Sequence, residues 1–392
     1  MIAALLLAAA APTPPPAGAH VTFTGRVIET RIARGEADRA THRRARADDP
    51  VRVASISKLA VAMAVMRLVE TGKLDLDRDV SAYLGWSLRN PAFPERAITL
   101  RALLSHTAGV RDGVDYALAL DDDLAAVMQQ TAAWDAGHAP GGYFAYANLN
   151  FPIVAAVMEG ATGERFDRLM TRLVFRPLKL DACFNWMGCS DRAVRLAVVL
   201  YRASGDVARD DLHGRLPDCP VTPAYDGGCY LGRYALARNG AAFSPQGGMR
   251  ISMTGLARLG MALAGQVPGF LAPATLKAMT TPAWRYDGGN GDIEGGFYCG
   301  YGLGVMINAL PGRPAACRDD PFGDGRLRYG HAGDAYGLKS GLWIDPASAK
   351  GLAYFTTAVP ADAPAGARSA YTVQEEAAID GWLHRKAPRS HD

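Results

Sequence analysis

The sequence contains no apolar run long enough to cross a bilayer. Its longest, residues 2–11, spans ten residues, against the roughly 20 that a spanning helix needs. Charge of one sign is missing too. Lys plus Arg number 42 and Asp plus Glu 39, a formal charge of +3, so the chain lacks the basic footprint of a nucleic-acid binder. Cysteine is scarce, six in 392 residues, too few to hold a disulfide-built miniature fold, so a hydrophobic core must carry stability. No C-x-x-C and no H-x3-H accompanies the cysteines, which argues against a zinc site. No internal repeat is visible. Lysine is rarer than composition would suggest, 7 against 35 arginines. What remains is an ordinary globular balance, 49% hydrophobic and 21% charged, in a length that suits two domains or one large one.

The apolar run at 2–11 precedes a Pro-rich stretch and then Ala17-Gly18-Ala19. A short apolar segment followed by A-x-A has the form of a secretory leader, here residues 1–19, although no Lys or Arg precedes the apolar run. Removal of the leader predicts a periplasmic or secreted protein with no stable membrane anchor. The first cysteine is Cys183, so no lipid-bearing cysteine lies near the N-terminus. An oxidising compartment permits disulfides. Sequence alone does not fix the connectivity of six cysteines, but their spacing suggests the local pairs Cys183–Cys189, Cys219–Cys229 and Cys299–Cys317.

Residues 22–34 read as one or two strands. Residues 59–66, LAVAMAVM, are apolar on every face, as in a helix buried in a larger structure, and Gly72 offers a C-cap. Thr99 offers an N-cap to a short helix that stops near Gly109. Residues 122–135 and 149–172 also look helical. The stretch 205–248, rich in Asp, Gly and Pro, reads as a long excursion. Beyond it come a helix at 254–264, strand-like runs at 301–308, 338–344 and 352–358, and a final helix at 373–384. This order predicts an α/β unit built from 20–80 and 249–392, and a mainly helical unit from 81–248.

Ser55-Ile56-Ser57-Lys58 sits where the buried helix begins. Residues three apart share a helix face, so the Ser55 hydroxyl and the Lys58 amine can meet. Serine is a weak nucleophile until its proton is removed. A lysine can remove it if burial lowers its pKa, whereas an arginine cannot. A lysine spent here in a chain that prefers arginine is therefore informative. Ser57 has Ala60, not a base, three residues on. Tyr146-Ala147-Asn148 forms a second element: a phenol beside an ammonium can have a lowered pKa, and an amide can bind a substrate amide on both edges. His331-Ala332-Gly333, before the run 338–344, is a third.

In this order, S-x-x-K, Y-x-N and basic-x-Gly resemble the class C β-lactamase and low-molecular-weight penicillin-binding protein family. The stretches VASISKLAVAMAVMRLVETGKLDLDRDV, ITLRALLSHTAG, YANLNF, GGMRISMTGLARL, YGLGV and HAGDAYGLKSGLWIDP extend the resemblance over about residues 50–358. It implies an antiparallel sheet flanked by helices, an α/β (α+β) fold, plus a mainly helical domain with the site between them. It also implies Ser55 as acylated nucleophile, with Lys58 and Tyr146 sharing the proton work. Asn148 would hold the acyl side chain, and the backbone N–H groups of Ser55 and Asp334 would form the oxyanion hole. No cofactor or metal is implied, and His106 would be structural.

The departures sharpen the expectation. Efficient class C β-lactamases carry Lys where this chain has His331, and a neutral imidazole clamps a substrate carboxylate less firmly. His at this position resembles the D-alanyl-D-alanine carboxypeptidase and D-aminopeptidase branches, and related esterases often carry Trp there. Asp334, if it faced the site, would repel anions. The stretch 205–248 is expected to line the cleft. The reading is therefore an exported serine hydrolase for D-amino-acid peptides, including peptidoglycan fragments, or for small esters and amides. The alternatives are a β-lactamase or slow penicillin-binding protein, and a non-catalytic binding homologue. No G-x-S-x-G occurs, which disfavours the usual esterase elbow.

Overall fold

The computed structural model describes residues 16–383. Most of the expected leader lies outside them. Its last residues do not: Gly18 and Ala19 open the strand Gly18–Thr24, and the Ala17 and Ala19 side chains are buried.

The main sheet has eight strands, every neighbouring pair antiparallel. Across the sheet they run Trp284–Arg285, Gly300–Tyr301, Met306–Asn308, Arg328–Ala335, Leu338–Asp345, Lys350–Thr356, Gly18–Thr24 and Val27–Arg34. Successive side chains on a strand point to opposite faces. Accordingly Leu342, Ile344, Ala353 and Phe355 enter one apolar core, while Trp343, Leu352 and Tyr354 enter another. The helix Met253–Leu263, capped by the Ser252 side chain, covers the first face, and the helix Val373–Leu383 packs on the other. This is the expected antiparallel sheet flanked by helices.

The all-apolar run becomes the helix Ser57–Glu70, with every residue from Ser57 to Met66 buried. Asn150–Thr162 packs beside it with several short helices, among them Leu100–Leu104, whose cap is the Thr99 hydroxyl. The helical expectation over 122–135 is only partly met. One turn, Leu124–Val127, and a 3-10 turn, Thr131–Ala133, form there. The expected helix over 149–172 is interrupted at Gly163, which caps the first segment at φ +68°, and resumes as Phe166–Met170. The expected strand at 301–308 is two short strands around a turn containing Gly304, and 205–248 is mostly turns.

One strand was not legible. His331 does not precede the late strands but lies inside Arg328–Ala335, hairpinned to Leu338–Asp345 through Tyr336 and Gly337, both at positive φ. A small antiparallel sheet of Val51–Arg52, Met249–Ile251 and Cys183–Phe184 ties three distant parts of the chain together just before Ser55. Disulfides join Cys183–Cys189, Cys219–Cys229 and Cys299–Cys317, as the spacing suggested. Among the described residues no helix is long and apolar enough to cross a membrane.

Candidate active site

Ser55 stands on a single 3-10 turn, Ala54–Ile56, between the strand Val51–Arg52 and the helix Ser57–Glu70. Ala54 enters the turn at φ +48°, a region uncommon for a residue with a Cβ. The turn lifts Ser55 out of the core: it is the one residue between Val51 and Met66 that is not buried. Ser57 faces inward instead. Its hydroxyl donates to the Ala54 carbonyl at 2.7 Å and accepts from the Met249 amide at 2.9 Å, tying the helix start to the small sheet.

Lys58 is fully buried, and its ammonium has three partners. Nζ donates to Ser55 Oγ at 3.0 Å, to Asn148 Oδ1 at 2.8 Å and to the Gln246 carbonyl at 2.8 Å. Burial pulls its pKa down to about 7, while the negative charge of Asp112 acts in the opposite sense. A cation with no carboxylate in direct contact is costly to bury, and the neutral amine is accessible near pH 7.

Asp112 was not foreseen from the sequence. Its Oδ2 accepts from the Asn148 backbone amide at 2.8 Å and from Asn148 Nδ2 at 2.9 Å, and its Oδ1 accepts from the Leu149 amide at 3.0 Å. These bonds fix which edge of the Asn148 amide points at Lys58. Only its place in the loop after Gly109 singles Asp112 out, and nothing in a linear pattern reveals that.

Tyr146 stands close enough to Ser55 for that side chain to act on its phenol pKa. Its ring is stacked between His106 (centroids 4.4 Å apart) and Tyr298 (4.9 Å), with the Lys58 Nζ 5.0 Å from the ring centroid. The expected lowering of the phenol pKa is not found. Burial raises it, outweighing the opposite influence of Ser55, so Tyr146 is a neutral phenol at rest. His106 is buried, and its Nδ1 accepts from the Ala147 amide and from Asn150 Nδ2. It builds the floor under the Y-x-N turn.

The third motif divides. Gly333 lies against the turn that carries Ser55: a Cβ there would come within 2.4 Å of both the Val53 carbonyl and Ser340 Oγ. The Ala332 amide points to Met306 Sδ, away from the Leu338–Asp345 strand. By strand alternation, the Asp334 amide points to the same side, beyond the last residue paired with Met306–Asn308. The Asp334 carboxylate is exposed at the rim and paired with Lys339 at 2.7 Å, so its charge is balanced.

His331 is the correction. It does not face the cleft. Its ring is buried, with Nδ1 2.5 Å from the Ala332 carbonyl and Nε2 2.8 Å from the Tyr301 hydroxyl. Nδ1 must carry the proton to donate to a carbonyl, so Nε2 accepts from Tyr301. Burial, with the Lys58 charge adding to it, brings the His331 pKa to about 3. A neutral, inward imidazole cannot clamp a substrate carboxylate. The sequence placed His331 correctly along the chain but could not show its direction.

Ser55, Tyr146, Asn148, Gly333 and Asp334 line one cleft of about 710 Å³. Thr222, from the Cys219–Cys229 loop, lines it as well.

A family model described as Beta-lactamase matches residues 13–375. The esterase EstB of Burkholderia gladioli is 33% identical over 171 residues, 39% of this chain and 43% of that protein. The chain spans less than half the length of the curated relatives it matches. A D-stereospecific amidohydrolase from Streptomyces sp. superposes with a TM-score of 0.59 at 21% identity, over 88% of this chain and 89% of the other. A β-lactamase/D-alanine carboxypeptidase from Pseudomonas syringae superposes at 0.65 with 16% identity, over 95% of both chains. At these identities the two structures share the fold.

Proposed function

The chain belongs to the β-lactamase family, and from that premise we propose that it is a serine hydrolase working through an acyl-enzyme on Ser55. The observation that carries this reading is the contact between Lys58 Nζ and Ser55 Oγ at 3.0 Å, with the Lys58 pKa near 7.

A general base works best when its pKa lies near the operating pH. Neutral Lys58 takes the Ser55 proton as Oγ bonds to the substrate carbonyl carbon. The oxyanion forms against the Ser55 and Asp334 amides, donors whose loss typically costs about 2.7–4 kcal/mol each. Tyr146, beside Ser55 and Lys58, relays the proton from the Lys58 ammonium to the leaving group as the carbonyl–leaving-group bond breaks. The same pair then deprotonates a water that attacks the ester, and the proton returns to Ser55. Asn148, oriented by Asp112, holds the acyl amide.

The substrates are D-amino-acid peptides and amides or small esters. This choice is supported by the inward turn of His331, which leaves that end of the cleft without the cation a penicillin carboxylate would meet. The esterase and D-stereospecific amidohydrolase among the similar proteins point the same way. A β-lactamase or slow penicillin-binding protein is the second reading, favoured by the structural likeness to the Pseudomonas syringae protein. Three disulfides and the apolar N-terminal segment support an exported protein. The test is turnover of D-amino-acid amides and 4-nitrophenyl acyl esters by wild type and Ser55→Ala, with intact mass measured after brief exposure to a penicillin. Full activity in the variant refutes the assignment. A long-lived adduct confined to wild type selects the second reading.

A further inference from the structure

The end of the cleft farthest along the strand from His331 carries two arginines, Arg52 and Arg209, that the mechanism does not use. Arg52, three residues before Ser55, lines the cleft yet is only 7% exposed. Its Nη2 donates to Ser244 Oγ at 3.2 Å, and its Nε is buried without a protein partner. Its Nη1 has no hydrogen-bond partner among the described residues.

Arg209, on the strand Val207–Arg209, is exposed, lines the same cleft and has no carboxylate in salt-bridge contact among the described residues. The two guanidiniums share one aromatic ring: each Cζ lies 5.2 Å from the centroid of Tyr336. Tyr336 is held at φ +57° in the hairpin turn, a conformation that is rare and costly for a bulky side chain. Asp210, next along the chain from Arg209, is taken up by a buried ion pair with Arg250. Asp112, Asp334, Glu294 and Glu375 also line the cleft, but among the described residues none of them is in salt-bridge contact with Arg52 or Arg209, and Asp334 is taken by Lys339. Burial and the Arg250 charge bring the Arg52 pKa down to about 10, the response of a cation short of negative partners.

We propose that Arg52 and Arg209, with Tyr336 between them, form an oxyanion subsite that selects substrates bearing a carboxylate at the far end of the acyl chain. The proposal deepens the serine-hydrolase reading and rests on it for the position of the acyl group. Guanidinium donors match a carboxylate in a fork geometry, and neither Arg52 nor Arg209 has a carboxylate in salt-bridge contact among the described residues. The anion preference expected at the His331 end of such a cleft is thereby moved to the opposite end.

The probes are the 4-nitrophenyl monoester of glutaric acid and its uncharged counterpart, 4-nitrophenyl methyl glutarate, compared by kcat/KM in wild type and Arg209→Gln. A parallel thermal-shift measurement uses 5-oxohexanoate, the ketone analogue of monomethyl glutarate, which has no ester or amide bond to hydrolyse. The expected result is a preference for the charged ester that falls at least about tenfold in Arg209→Gln, as loss of a charge-assisted hydrogen bond implies, and that weakens with salt. 5-Oxohexanoate should raise the wild-type Tm and not that of the variant. An unchanged ester ratio with no Tm rise overturns the subsite. If neither ester is hydrolysed but the Tm rise is present in wild type and lost in the variant, the subsite stands and the hydrolase reading falls.

Discussion

The Tyr301 hydroxyl donates to His331 Nε2 at 2.8 Å, and both side chains are fully buried. The bond turns the first residue of the third motif into a piece of the aromatic core that also holds Tyr298 and Phe144. Restoring the cation found in efficient class C β-lactamases should therefore fail. His331→Lys would place an ammonium beside Tyr301 without a carboxylate, and we expect it to lose about 3–5 kcal/mol of stability with no gain in penicillin hydrolysis. Urea denaturation and penicillin turnover check both halves.

His331 also makes a pH prediction. Its pKa is near 3 in the folded protein against an ordinary 6.5. Between those values the unfolded chain binds a proton that the folded one does not, so stability is fully present above pH 6.5 and falls as the solution is acidified towards pH 3. The slope is at most about 1.4 kcal/mol per pH unit. His331→Gln should show a smaller loss of urea midpoint between pH 6.5 and 4 than wild type does. Equal losses would contradict the buried neutral imidazole.

Lys58 and Asp112 set the acid limb of activity. As pH rises through about 7, Lys58 loses its proton and kcat/KM should rise with it. Lys58→Arg should remove activity by orders of magnitude while keeping the charge, since guanidinium does not deprotonate. Asp112 holds the Lys58 pKa up, so Asp112→Asn should move the limb to lower pH. A merely structural role for Asp112 would leave the limb in place. The same variant should lose about 1.5–3 kcal/mol of stability, the scale of a hydrogen bond to a charged group.

Gly333 is required by contact, not by flexibility. An added Cβ would meet the Val53 carbonyl and Ser340 Oγ at 2.4 Å, so Gly333→Ala must push the strand away from the Ser55 turn. The Asp334 amide would move with it. A loss of about 1–3 kcal/mol of stability and a fall of at least about a hundredfold in kcat, the cost of one oxyanion donor, are expected. Calorimetry and steady-state kinetics separate the two.

The Cys219–Cys229 bridge closes a short loop that carries Thr222 to the cleft wall. Replacing both cysteines by serine should cost about 2–3 kcal/mol and raise KM more than it lowers kcat. Unchanged kinetics would count against a role for this loop in substrate binding.

Elements whose signals are local could be read directly from the chain. Full apolarity marked the Ser57–Glu70 helix, a three-residue spacing brought Lys58 to Ser55, and cysteine spacing anticipated the three bridges. The Thr99 cap and the strands Leu338–Asp345 and Lys350–Thr356 were equally legible. The direction of side chains and the contacts between distant segments follow only from how the elements pack. Asp112 reaches Asn148 from 36 residues away, and Gln246 reaches Lys58 from 188. No linear pattern encodes such pairs, because they depend on how separate elements pack. His331 shows the same limit within one strand: alternation sends its ring to the core face, and the register of Arg328–Ala335, fixed by its neighbours, decides which face that is.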